Sequence, residues 1–134
     1  MTESGPRRKL AAILAADVVN FSRMMGENED RTLRNLKICR TITDRAIQSN
    51  HGRVFGGAGD SIIAEFGSPV DALLAATGFQ QDLESRNQTV PLEDQMVFRV
   101  GLNLGDVIIE GDNLYGDGVN VAARLEAFAD PGGI

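Results

Sequence analysis

The stretch Leu10-Ala11-Ala12-Ile13-Leu14-Ala15-Ala16-Asp17-Val18-Val19 decides how the rest of this chain is read. It is apolar at every position except Asp17, the pattern of a central strand covered on both faces. A rival reading takes Arg7-Arg8-Lys9 as a basic leader and Leu10 to Ala16 as the apolar core of a signal peptide. That run is at the short limit for such a core, so the strand reading is preferred. A cytoplasmic location follows, and the sequons Asn20-Phe21-Ser22 and Asn87-Gln88-Thr89 then carry no meaning, since glycosylation needs secretion.

Working outward from this strand, residues 1–8 read as a flexible leader. Asn20 to Asn28 reads as a loop, and Glu29 to Asn50 as a helix with Leu33, Leu36, Cys39, Ile42, Ala46 and Ile47 along one stripe. Gly52 is expected to take a left-handed cap conformation after it. Arg53–Gly56 and Ser61–Phe66 form a hairpin around Gly57-Ala58-Gly59-Asp60. Ser68-Pro69 opens a second helix that fades by Asn87, and Gln88 to Gln95 is a loop. Met96–Leu104 and Val107–Glu110 read as two strands, Gly111-Asp112-Asn113 as a turn, and Asp117–Phe128 as a third helix. The order βαββαββα gives an α+β domain with helices packed on a mixed, mainly antiparallel sheet.

The 134 residues amount to one domain. Thirteen basic residues against nineteen acidic ones leave a net charge of −6, a poor basis for nucleic-acid binding. No apolar stretch approaches the ~20 residues of a membrane span. One cysteine and one histidine exclude a disulfide framework and a Cys/His zinc cluster.

Three constellations could carry chemistry. Asp17 ends an apolar strand and Asp60 sits in a glycine-rich hairpin. Were the strands adjacent, both carboxylates could converge on divalent ions, with magnesium or manganese favoured by hard oxygen ligands. Aspartate is equally at home capping a loop amide or sitting in a turn. Backbone amides around Asn20-Phe21-Ser22 could cradle phosphate oxygens, although the segment also fits an ordinary loop. Asn120 and Arg124 are four apart and share a helix face. That pair suits a ribose oxygen and a phosphate undergoing displacement, or else lies on a solvated face.

Three blocks carry these residues in order: AILAADVVNFSRMM (12–25), GRVFGGAGDSIIAEF (52–66) and FRVGLNLGDVIIEGDNLYGDGVNVAARLE (98–126). Together they resemble a class III nucleotidyl cyclase catalytic domain, the resemblance running from about Lys9 to Ile134. It implies a ferredoxin-like fold of βααββαβ type with an added hairpin, working as a head-to-tail homodimer or as a heterodimer with another cyclase domain. It implies two divalent cations, Mg2+ or Mn2+, held by Asp17, Asp60 and the Val18 carbonyl. Val19, Asn20, Phe21, Ser22, Ala58 and Gly59 match the part that holds the triphosphate. Asn120 matches the ribose-positioning asparagine and Arg124 the arginine that stabilises the transition state. The implied reaction turns ATP, or GTP, into its 3′,5′-cyclic monophosphate and pyrophosphate for intracellular signalling.

The chain departs from the family pattern at the base-facing positions Gly56, Asn113, Leu114 and Tyr115. Gly56 stands where an adenine-reading lysine is usual, and Asn113 where adenylate cyclases carry an aspartate. The family also continues past Ile134 into further strands that bear a triphosphate-clamping lysine. The expected domain is therefore 9–134 without those strands, and a catalytically degenerate nucleotide-binding or dimerisation module is the alternative.

Overall fold

The computed structural model describes residues 7–55 and 59–134. Strand β1 (Arg7–Val18) is the middle of a five-stranded sheet. On one side it pairs with β3 (Ile62–Phe66), from Ala12 opposite Phe66 to Ala16 opposite Ile62. On the other it pairs along its whole length with β4 (Phe98–Glu110), from Arg7 opposite Ile109 to Val18 opposite Phe98. The short strands β2 (Arg53–Phe55) and β5 (Asn113–Tyr115) flank β3 and β4, giving the order β2-β3-β1-β4-β5. Each of the four pairings is antiparallel. The β2-β3-β1-β4 portion is the split βαβ arrangement of a ferredoxin-like fold.

Alternation along β1 explains its unbroken apolarity. Ala12, Leu14, Ala16 and Val18 face a core closed by α2 (Glu29–Ser49) and α3 (Pro69–Asn87), against Leu36, Cys39, Ile47, Phe79 and Leu83. Ala11, Ile13 and Ala15 face the other way, toward Val107, Ile109 and Ala122 beneath α4 (Asp117–Phe128). A strand buried on both faces has no polar side to show. The helix starts follow capping chemistry: Asn28 accepts from the Arg31 amide at 3.0 Å and Ser68 from the Val70 amide at 3.1 Å.

Several expectations are corrected. Asn20–Asn28 contains the helix α1 (Phe21–Glu27), so Phe21 and Ser22 lie in a helical first turn and not in a loop. Asn20 makes the bend with φ 60°, and Phe21 and Met24, one turn apart, pack on the core. That short amphipathic pair was too brief to register as periodicity. The two strands expected at 96–110 are one, because Gly105 and Asp106 keep their pairing with Ala11 and Leu10. Asn113 belongs to β5, opposite Glu110, leaving Gly111-Asp112 as the turn. The left-handed residue after α2 is His51, φ 66°, whereas Gly52 is needed for space: a Cβ there would strike Ile47 and Phe66. Arg7 and Arg8, assigned to the leader, already pair with Ile109 and Ile108 in β1.

Candidate active site

Register brings the two predicted aspartates together. Since Ala16 lies opposite Ile62, the next residues along β1 and back along the chain from β3 are Asp17-Val18 and Ser61-Asp60. Asp60 Oδ2 accepts a hydrogen bond from the Val18 amide at 2.8 Å, which fixes its carboxylate beside the end of β1. Asp17 is half-buried, and across the β1–β4 pairing it faces Arg99. Arg99 Nη2 lies 3.5 Å from Asp17 Oδ1 and 3.4 Å from Glu126 Oε2, so one guanidinium nitrogen is shared between two carboxylates.

Glu126 was not singled out from the sequence. It reaches this corner because α4 lies directly on β4 at Gly101, where a side chain would collide with the backbone of Ala122 and Glu126. The signal was present in the helix period: Gly118, Ala122 and Glu126, four apart, are the buried residues of α4. A carboxylate in that register is costly without partners. Burial, then hydrogen bonding to Asp17 and the charges of Asp17 and Asp60, push the Glu126 carboxyl up to about 7, with Arg99 opposing.

The chemistry of the donors suits a hard divalent cation. Magnesium is commonly bound through one or two carboxylates, with waters and substrate phosphates completing its shell. Asp17 and Asp60, with the Val18 carbonyl beside them, match that mode. Among the described residues no group of three or more His, Cys, Asp or Glu side chains is arranged to hold a metal by itself. Val19, Asn20, Phe21, Ser22 and Gly59 lie at the same end of the sheet, along the β1–α1 connection and just before Asp60. Gly56 and Ala58 lie outside the described residues.

The remaining predicted residues are not brought to this corner. Asn120 and Arg124 are exposed on α4. Successive helix residues turn by about 100°, so Arg124 points about 200° away from Glu126, off the face turned to Asp17. Asn113, Leu114 and Tyr115 on β5 pair with β4 at Ile108–Glu110. Asp17 pairs with Arg99, nine residues back along the same strand, roughly 30 Å at about 3.3 Å per residue. One copy thus sets the candidate metal residues apart from the candidate base-facing residues, and turns Asn120 and Arg124 away from Asp17.

The chain matches the family model described as "Adenylate and Guanylate cyclase catalytic domain" over residues 5–134. It is 45% identical, over its whole length, to a protein named "Putative adenylate cyclase 3" from Rhizobium meliloti (strain 1021), spanning 23% of that relative's length. Among solved structures it resembles an adenylate/guanylate cyclase/hydrolase from Silicibacter pomeroyi, with TM-score 0.87 and 39% identity. That match covers 96% of this chain and 75% of the other. A bacterial light-regulated adenylyl cyclase matches with TM-score 0.86 and 25% identity, over 92% of this chain and 40% of its own.

Proposed function

Since this chain belongs to the adenylate and guanylate cyclase catalytic-domain family, we propose that it cyclises ATP to 3′,5′-cyclic AMP and pyrophosphate between two copies of itself. The observation that carries this reading is the division of the candidate residues. Asp17 and Asp60 meet at one end of the sheet, while Asn120 and Arg124 face away from them on α4. A second copy is the simplest source of the missing half. An uncovered apolar strip supports such pairing: by register Leu10, Leu104 and Tyr115 share the sheet face that α2 and α3 cover elsewhere. They are 64%, 53% and 49% exposed. ATP is preferred over GTP because the 45% identical relative carries an adenylate cyclase name.

In this reading the 3′-hydroxyl gives up its proton to solvent, its oxygen forms a bond to the α-phosphorus, the bond from that phosphorus to the bridging β-phosphate oxygen breaks, and pyrophosphate leaves. Divalent cations held by Asp17, Asp60 and the Val18 carbonyl would supply Lewis acidity toward the hydroxyl and charge neutralisation at the phosphates. The amides from Asn20 to Ser22 bind phosphate oxygens; the Val19 amide, expected to join them, instead donates to the Val97 carbonyl at 2.8 Å. From the second copy, Asn120 orients the ribose and the fixed cation of Arg124 offsets charge on the α-phosphoryl oxygens. Asn113 and Tyr115, on one face of β5, face the base; Leu114, expected to join them, packs the other way against the core beneath α4.

Product identification with ATP and GTP side by side, in Mn2+, tests the reaction. Asp17→Ala is expected to lower turnover at least about 100-fold, as is Arg124→Ala. Mixing the two variants tests the shared site. A mixed dimer retains one intact site of two and random pairing makes half of the dimers mixed, so activity should return toward about a quarter of the native level. No cyclic product from the native chain at high concentration would sink the enzyme reading, and no recovery on mixing would sink the shared site.

A further inference from the structure

We propose that Glu126 is a positioning residue that draws the Arg99 guanidinium off Asp17, leaving the Asp17 carboxylate to a divalent cation. The inference rests on the reading of Asp17 as a metal ligand and goes beyond it to the residues that set its availability.

Arg99 is a fixed cation already in contact with Asp17, and so competes with any metal for that oxygen. Its single shared nitrogen makes two long contacts, neither of them a close charge-assisted bond of about 2.8 Å. Both partners have capacity to spare. Arg99 Nε and Glu126 Oε2 are buried and lack hydrogen-bond partners among the described residues. Glu126 is 8% exposed. A buried donor without a hydrogen bond, on the guanidinium whose Nη2 lies 3.4 Å from a buried acceptor that also lacks one, is a costly arrangement that rotation of the guanidinium into the forked pair favoured by arginine and carboxylate relieves.

A cation arriving at Asp17 repels Arg99 and promotes that rotation. Charge balance favours the same outcome. With Arg99 matched to Glu126, the corner presents the two negative charges of Asp17 and Asp60 to the metal. Without Glu126, Asp17 is the carboxylate left in contact with Arg99 among the described residues, its Nη1 donating besides to the Ala127 carbonyl at 3.4 Å. Because Glu126 lies on the helix whose outer face bears Asn120 and Arg124, the hand-over also ties each half-site to the other within one copy.

Mn2+ binding to the full chain, without nucleotide, measures this directly through the electron paramagnetic resonance signal of free Mn2+ at pH 8. Glu126→Gln should weaken binding by roughly tenfold, inside the usual range for coupled neighbouring sites. The double variant Arg99→Met/Glu126→Gln should recover to within about threefold of native, because the competing cation has gone. A purely structural role for Glu126 gives no such rescue. Unchanged binding in Glu126→Gln, or a double variant as weak as the single one, overturns the proposal. Asp17→Asn separates the two levels. If it leaves native Mn2+ binding intact, the reading of Asp17 itself fails; if it abolishes binding while Glu126→Gln does not weaken it, only the hand-over fails. Should the substitutions prevent folding, the native chain still decides. Adding Mg2+ should slow solvent exchange of the Arg99 Nε–H seen by NMR as it gains Glu126, and an unaltered exchange rate contradicts the hand-over.

Discussion

At Glu126 a carboxyl is held against Asp17 and Arg99, within the field of Asp60, on the inner face of a helix. Its carboxyl is pushed up to about 7 from an ordinary 4.5, first by burial and then by Asp17. The sign follows from which form the fold tolerates. The folded state holds the proton that the unfolded chain releases, so this stability is fully present below about 4.5 and is lost as pH rises through about 7. In protein stripped of divalent cations, the urea midpoint should therefore fall between pH 5 and pH 8. Glu126→Gln, which mimics the neutral form, should flatten that slope. A native midpoint that rises across this window would contradict the account.

At the level of elements, the contact of α4 with β4 is set by Gly101, whose missing side chain lets the helix backbone rest on the strand. Gly101→Val should lift α4, separate Glu126 from Arg99 and lower stability by about 3 kcal/mol, the upper range for overpacking. Urea unfolding measures it, and a loss below about 0.5 kcal/mol would mean the helix accommodates the group elsewhere. A second polar node joins α2, α3 and the 3-10 turn Leu92–Asp94. Asp94 takes a forked pair from Arg31 and a bond from Asn35, while Arg86 binds Asn35 and the Asp94 carbonyl. The Arg31 guanidinium, then Asn35, hold the Asp94 carboxyl well below the usual carboxylate range. Stability from this node is present above the ordinary carboxylate value and drains as pH falls below it. Arg31→Ala should thus narrow the gap between thermal midpoints at pH 3 and pH 7, and an unchanged gap would remove the node from the acid response.

For the whole molecule, the question is what covers the strip formed by Leu10, Leu104 and Tyr115. If a second copy does, Leu104→Glu should shift sedimentation toward the monomer and lower cyclase activity most at low protein concentration, since a buried charge opposes association. Far-UV circular dichroism should stay native, because Leu104 is 53% exposed in one copy. An unchanged sedimentation profile would assign the strip another role. No helix among the described residues is long and apolar enough to cross a membrane.

Much of this molecule was legible from its residues alone. The apolar run of β1, the capped helices and the hairpin between β2 and β3 follow from patterns that act over a few neighbours. The helix α1 escaped because its apolar pair spans one turn, and the break read at Gly105 escaped because pairing with β1 carries the strand through it. Asp17 and Asp60 could be named in advance because a carboxylate closing an apolar strand and one in a glycine-rich hairpin are conspicuous, and the cyclase resemblance then implied a shared role for them. Arg99 and Glu126 could not. They stand 82 and 109 positions from Asp17; the four-residue spacing with Gly118 and Ala122 marks Glu126 as inward-facing, but nothing local ties either residue to Asp17. Only the β1–β4 register and the close seating of α4 at Gly101 bring them to one corner. That meeting belongs to tertiary structure, since burial is what turns an unremarkable ion pair into a costly and therefore responsive one.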